Sequence, residues 1–61
     1  MRDPRRCAKL ARQIGELWRE KVPDWRFGQL LSNFQSATRD DIFYIEDEEI
    51  VEKIKKFLEN Y

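Results

Sequence analysis

The sequence contains no histidine and only one cysteine, two glycines and two prolines in 61 residues. Because histidine is the commonest general base and a frequent metal ligand, its absence removes many catalytic and metal-binding arrangements. Two isolated glycines cannot form a glycine-rich phosphate loop, and no apolar run is long enough to span a bilayer. We therefore expect no catalytic residues, no cofactor, no metal site, no membrane contact and no small-molecule substrate.

The single cysteine, Cys7, cannot form an internal disulfide. The sequence shows no signal peptide, lipidation motif or membrane span, so we expect a cytoplasmic protein. Cys7 also falls on the apolar side of the first predicted helix. That position favours a small buried side chain over a reactive thiol.

Charge is abundant but unevenly distributed along the chain. Charged residues make up 39% of it, and 12 basic side chains balance 12 acidic ones. Residues 1–39 carry nine basic and four acidic side chains, a net charge of +5, whereas residues 40–61 carry three and eight, a net charge of −5. The chain is therefore an electrical dipole along its sequence.

A chain of 61 residues forms one domain that buries only about 60% of the surface its unfolded form exposes. We therefore predict a single domain over residues 1–61 with a small core that depends on large side chains. The eight aromatic residues are the natural candidates, and we expect most of them to lie inside. They are Trp18, Trp25, Phe27, Phe34, Phe43, Tyr44, Phe57 and Tyr61.

The N-terminal third predicts an amphipathic helix. Asp3 followed by Pro4 is typical of a helix start, with aspartate as the N-cap and proline at the first helical position. Apolar residues then recur at spacings of three and four between residues 7 and 18. The residue before Pro23 is disfavoured in the α conformation, so the predicted helix spans about residues 4–21.

A second helix is predicted near residues 25–36, with Asp24 as its cap, because apolar residues again recur at helical spacing. Trp25 falls outside the apolar stripe of this helix. We expect its side chain to fold back over the proline turn against Trp18 or Val22 and so to join the first two helices.

Residues 42–45 are rich in β-forming side chains, but this run is short and has no partner strand. It is predicted to be an extended or single-turn connector that buries two or three side chains.

A third helix, capped by Glu46 or Asp47, follows near residues 47–60. The acidic run at 46–49 lacks the spacing of a calcium loop and is typical of a helix start. The predicted class is all-α: a compact three-helix domain with this connector before the last helix.

One candidate functional surface is the basic face of the first helix, which could meet nucleic-acid phosphates. A solvated face that complements the acidic last helix is the favoured alternative, because a chain of zero net charge is unusual for a phosphate-binding domain. The residues of this face are Arg2, Arg5, Lys9, Arg12 and Arg19, with Arg6 beside them.

A second candidate surface lies on the second helix, because residues 27–38 contain no charged side chain. Interface cores are depleted in charge, so this face is a candidate contact for a protein partner or a second copy of the chain. Chance in a short window and partial burial are the alternatives. The residues concerned are Gln29, Ser32, Asn33 and Ser36. A variant of this hypothesis has Gln29 and Asn33 contacting adenine edges in DNA, with Arg26 nearby.

Three segments of the sequence resemble segments of known proteins. They are Arg2-Asp3-Pro4, residues 23–31 (PDWRFGQLL) and residues 41–47 (DIFYIED). In these segments the chain resembles a group of small uncharacterised bacterial and bacteriophage proteins, which often have leucine at position 25 and an aliphatic residue at position 7. The resemblance implies a bacterial or phage origin and a compact helical shape. It implies no activity, cofactor or catalytic residue, so the expected function is a non-enzymatic protein-interaction or regulatory module, with nucleic-acid binding as the alternative.

Overall fold

The structure is a computed structural model that describes residues 3–61. Three α-helices are present: α1 (Arg6–Lys21), α2 (Phe27–Ala37) and α3 (Asp47–Glu59). A single 3-10 turn, Ile42–Tyr44, precedes α3, and no strand occurs within residues 3–61. The predicted all-α class is confirmed, and each helix begins and ends within two residues of the predicted bounds.

The predicted N-cap of α1 is wrong, whereas its predicted end is confirmed. The N-cap is Arg5, and Asp3 lies in the turn before the helix. Two backbone groups donate to Asp3: the N–H of Arg5 to its Oδ1 atom at 2.9 Å and the N–H of Arg6 to its carbonyl at 3.2 Å. The helix ends at Lys21, and Val22 leaves the helical region with φ −141° and ψ 59°. This exit is the predicted effect of the proline that follows.

The predicted cap of α2 is wrong. Asp24 lies in a turn, and the N-cap is Arg26, whose N–H donates to Oε1 of Gln29 at 2.7 Å. The turn before α2 is held by two hydrogen bonds of Trp25. The N–H of Trp25 donates to the carbonyl of Val22 at 3.0 Å, and its carbonyl accepts from the indole of Trp18 at 2.8 Å.

The Trp25 ring lies elsewhere than the sequence predicted. It contacts two aromatic rings of the α3 region, Phe57 at a centroid distance of 6.3 Å and Tyr61 at 4.7 Å. The Trp18 ring instead pairs with Phe27 at 5.6 Å. Trp25 therefore joins the turn to α3, while the first two helices are joined by the Trp18 ring and indole N–H.

The fully buried core belongs to α2 and α3. Leu30 and Phe34 of α2 meet Ile54 and Leu58 of α3, and these four side chains are 0 to 6% exposed. None of the residues of α1 is fully buried. Half-buried apolar side chains surround this core: Ile14, Leu17, Trp18, Val22, Trp25, Ile42, Ile45, Ile50 and Phe57.

Helix α1 lies beside α3, and the two helices point in the same direction. The ion pair between Arg6 Nη1 and Asp47 Oδ2, at 2.9 Å, joins their first turns. One turn later, Leu10 and Val51 line the same groove. Helix α1 thus covers one side of α3, and α2 covers another.

Two predictions about burial are wrong. Half of the eight aromatic residues are exposed: Phe27 by 50%, Phe43 by 81%, Tyr44 by 77% and Tyr61 by 73%. The four-residue core has room for one aromatic ring, that of Phe34. Cys7 is exposed as well, although it lies on the apolar side of α1.

Gly15 lies in the interior of α1, where helical spacing places it on a small-residue edge with Ala8 and Ala11. A Cβ atom added at Gly15 would meet nothing within 4 Å. Gly15→Ala should therefore stabilise the fold by about 0.5–1 kcal/mol through helix propensity. Urea denaturation measures this gain, and a lower midpoint would contradict it. Gly28→Ala is the control, with an equally open position in the first turn of α2 and a smaller expected gain.

Candidate interaction surface

The outer face of α2 is polar and uncharged. Because α2 packs Leu30 and Phe34 into the core, residues about half a turn away point outward. Of the four predicted contact residues, Gln29, Ser32 and Ser36 are exposed and Asn33 is half-buried. The structure therefore places the predicted residues on one side of one helix. We call these four residues the α2 face.

Hydrogen bonding distinguishes the members of the α2 face. The side chain of Gln29 is used locally, since its Oε1 atom caps the helix at Arg26. Ser32, Asn33 and Ser36 make no side-chain hydrogen bond to any residue in the described part of the chain. Two hydroxyl groups and one amide thus have solvent as their partner and are available to a binding protein.

Two other residues of α2 have partners outside the α2 face. Phe27, half exposed, lies on the opposite side of the helix, against the Trp18 ring. Further along, the Gln35 side chain binds the connector: its Nε2 atom donates to the carbonyl of Asp40 at 3.1 Å, and its Oε1 atom accepts from the N–H of Ile42 at 3.1 Å. Gln35 lies in the charge-free stretch of residues 27–38, but its side chain stabilises the connector.

The basic face of α1 is exposed along its length. Arg5, Lys9, Arg12 and Arg19 all face solvent, and they extend over about 21 Å of helix at 1.5 Å per residue. Arg2 lies outside the described residues. Glu16 occupies the same side of α1 and interrupts the positive row.

Several cations of this region already face carboxylates. Arg5 pairs with Asp3 at 2.8 Å, and Arg6 pairs with Asp47. Lys9 lines a groove of about 470 Å³ between the N-terminal halves of α1 and α3, opposite Glu48 and Glu52. The expected complementarity between the basic first helix and the acidic last helix is therefore present in the N-terminal half of α1.

One titratable group in this region has a shifted pKa. The Arg5 guanidinium and, second, the Arg5 backbone N–H donate hydrogen bonds to Asp3, and they lower the pKa of this carboxyl. A lowered pKa stabilises the folded state above the ordinary aspartate value of about 3.9, and this contribution is lost as the pH falls through the lowered pKa. Arg5→Gln should raise the pKa of Asp3 toward its ordinary value in an NMR titration. An unchanged midpoint would contradict the assigned cause.

The structure shows an exposed feature that sequence reasoning missed. Phe43 and Tyr44 lie in the 3-10 turn and face solvent, although aromatic residues were expected inside. The signal in the sequence is the spacing of Ile42 and Ile45. In a 3-10 turn, residues three apart lie on one side, so two buried isoleucines turn the residues between them outward.

Comparisons with known proteins give no match: no protein-family model, no curated protein and no solved structure matches this chain. The resemblance to small bacterial and bacteriophage proteins stays a prediction. In the part of the chain that the structure describes, no helix has the length and apolar character that a membrane crossing requires. No group of three acidic or cysteine side chains among residues 3–61 could hold a metal ion.

Proposed function

We propose that this protein is a small non-enzymatic interaction module that docks a protein partner through the α2 face. One observation carries the proposal. In a chain whose residues are 39% charged, α2 exposes a charge-free side on which Ser32, Asn33 and Ser36 have no partner in the described chain. Neutral hydroxyl and amide groups are easier to remove from water than charged groups, so this face can enter the centre of an interface.

The partner is a second protein or a second copy of this chain. The α2 face offers this partner uncharged groups that both donate and accept hydrogen bonds.

The test places charges in the middle of the face without changing the net charge. Ser32→Lys combined with Ser36→Glu should weaken partner binding by about tenfold or more, since both charges would have to be desolvated. Gln29 is left intact because its side chain caps α2. Binding is measured by photo-crosslinking from position 33 in the cell, and self-association by sedimentation velocity.

The matched control exchanges two charges on an exposed side of α3. Lys55→Glu combined with Glu59→Lys has the same spacing and the same zero net change, and it should leave the crosslinked product unchanged. The proposal fails if the native chain is monomeric and gives no discrete product. It also fails if the variant of the α2 face forms the product as efficiently as the native chain.

Nucleic-acid binding through α1 is the second candidate function, favoured by the exposed row of Arg5, Lys9, Arg12 and Arg19. Its test is a gel shift with mixed DNA and RNA at low salt, where phosphate contacts are strongest. Arg12→Ala with Arg19→Ala should abolish any shift, since the structure gives neither side chain an ion pair within residues 3–61. A native protein that gives no shift at low salt excludes this function.

A further inference from the structure

The connector presents two aromatic side chains to solvent. Phe43 is 81% exposed and Tyr44 is 77% exposed, and their rings meet edge to face at a centroid distance of 4.9 Å. They form no ring contact with the aromatic cluster around Phe57. Exposed neighbouring aromatic rings are typical anchors of protein interfaces, because each brings a large apolar area with few rotatable bonds.

The geometry of the 3-10 turn accounts for the exposure of Phe43 and Tyr44. Ile42 and Ile45 pack against the core, and in a 3-10 turn residues three apart share one side. Phe43 and Tyr44, which lie between them, therefore point away from the core. Turning either ring inward would expose one of the two isoleucines.

The backbone that carries the pair is fixed at several points. Asp41 caps the turn: its Oδ1 atom accepts from the N–H of Phe43 at 3.0 Å, and its carbonyl accepts from the N–H of Tyr44 at 3.0 Å. Gln35 of α2 holds the residues on either side of Asp41 through the carbonyl of Asp40 and the N–H of Ile42. A fixed backbone reduces the entropy lost when the rings bind a partner.

Carboxylates surround the pair in sequence. Residues 40–49 carry six acidic side chains and no basic one. Within residues 3–61, Asp40 pairs with Lys53 at 3.3 Å and Asp47 pairs with Arg6 at 2.9 Å. We call this set the acidic collar: Asp40, Asp41, Glu46, Asp47, Glu48 and Glu49.

We propose that Phe43 and Tyr44 anchor a second docking surface, which takes a protein partner whose apolar recess is rimmed by lysine and arginine. The proposal rests on the proposed function, because it gives the interaction module a partner class. Charge complementarity selects this partner, since the acidic collar attracts a basic rim. The same collar repels nucleic acid and anionic membranes.

A second copy of the chain is disfavoured at this surface for the same reason. In a two-fold contact the same patch meets itself, so the carboxylates of one copy would face those of the other. Such a contact places like charges together, which is costly in an interface.

The test uses three synthetic helical peptides as probes and isothermal titration calorimetry at low salt. The first peptide has a lysine face and a leucine face, the second has glutamate in place of lysine, and the third has glutamine in place of leucine. The native chain should bind the first peptide at least about tenfold more tightly than either of the others, because only that peptide has both the charge and the apolar face. Added salt should weaken its binding.

Variants locate the binding on the chain. Phe43→Ser with Tyr44→Ser should weaken binding of the first peptide by about tenfold or more, as loss of interface anchors does. This variant keeps the native melting temperature, because both side chains are exposed. Ser32→Lys with Ser36→Glu on the α2 face should leave peptide binding unchanged.

Four outcomes overturn the inference: equal binding of the glutamate peptide, equal binding of the glutamine peptide, undiminished binding by the variant of Phe43 and Tyr44, or a native dimer that this variant dissociates. The proposed function is judged separately. If Ser32→Lys with Ser36→Glu abolishes the crosslinked product while the connector variant leaves peptide binding intact, the inference fails and the α2 face stands. If the connector variant loses peptide binding while Ser32→Lys with Ser36→Glu forms the crosslinked product as efficiently as the native chain, the α2 face fails instead.

Discussion

Replacing Phe34 with alanine should remove about a third or more of the free energy of unfolding. Phe34 is 2% exposed, and its ring lies 5.8 Å from that of Phe57 across the α2–α3 interface. Removing a buried phenylalanine costs about 3–5 kcal/mol. The whole stability of a chain this size is about 3–9 kcal/mol at ~0.05–0.15 kcal/mol per residue. Circular dichroism during urea denaturation measures the loss.

Phe43→Ala is the matched control for that experiment, because it removes the same ring from a position that is 81% exposed. Its free energy of unfolding should stay within about 0.5 kcal/mol of the native value. If both variants lost the same stability, the assignment of the core to α2 and α3 would be wrong.

Replacing Trp25 with alanine should destabilise the protein by about 2–3 kcal/mol, less than a fully buried ring because Trp25 is half-buried. The loss comes from the ring contacts with Phe57 and Tyr61. The backbone carbonyl of residue 25 stays in place, so the hydrogen bond from the indole of Trp18 is available in the variant. Thermal unfolding followed by circular dichroism measures the change.

Trp25→Phe separates the ring contact from the size of the side chain. A phenyl ring keeps part of the edge contact with Tyr61, so this variant should lose less than half as much stability as the alanine variant. If Trp25→Phe loses as much stability as Trp25→Ala, the ring contacts with Phe57 and Tyr61 do not account for the loss. The turn then depends on the indole group itself.

The three helices were predictable because their apolar residues recur with the period of a helix. The stripe from Ile50 to Leu58 produces α3 as predicted, and Pro23 ends α1 as predicted. The start of α2 was not predictable from capping preference. Asp24 is a good N-cap residue, but the carbonyl of Trp25 is held by the distant indole of Trp18. A tertiary hydrogen bond thus outweighed a local preference.

Burial was predicted poorly because periodicity gives the direction of a side chain but not whether a neighbour covers it. Cys7 lies on the apolar side of α1 as expected, yet no neighbour within residues 3–61 covers it and the thiol is exposed. Phe43 and Tyr44 were expected inside because aromatic residues usually are. The two isoleucines beside them occupy the available space.

The candidate α2 face was visible in the sequence as a stretch without charge, and the structure places three of its four residues in solvent. The sequence could not predict which hydrogen bonds the glutamine side chains of α2 make. Gln29 and Gln35 look alike in sequence, yet one caps α2 and the other holds the connector. Their roles depend on backbone atoms brought near by the fold.

The position of the core has a consequence for biosynthesis. Half of the buried side chains, Ile54 and Leu58, belong to α3, the last of the three helices to leave the ribosome. Until α3 has been translated, Leu30 and Phe34 of α2 lack the side chains that complete their core, so the nascent chain is open to chaperones and proteases. The core therefore closes only after α3 has been made.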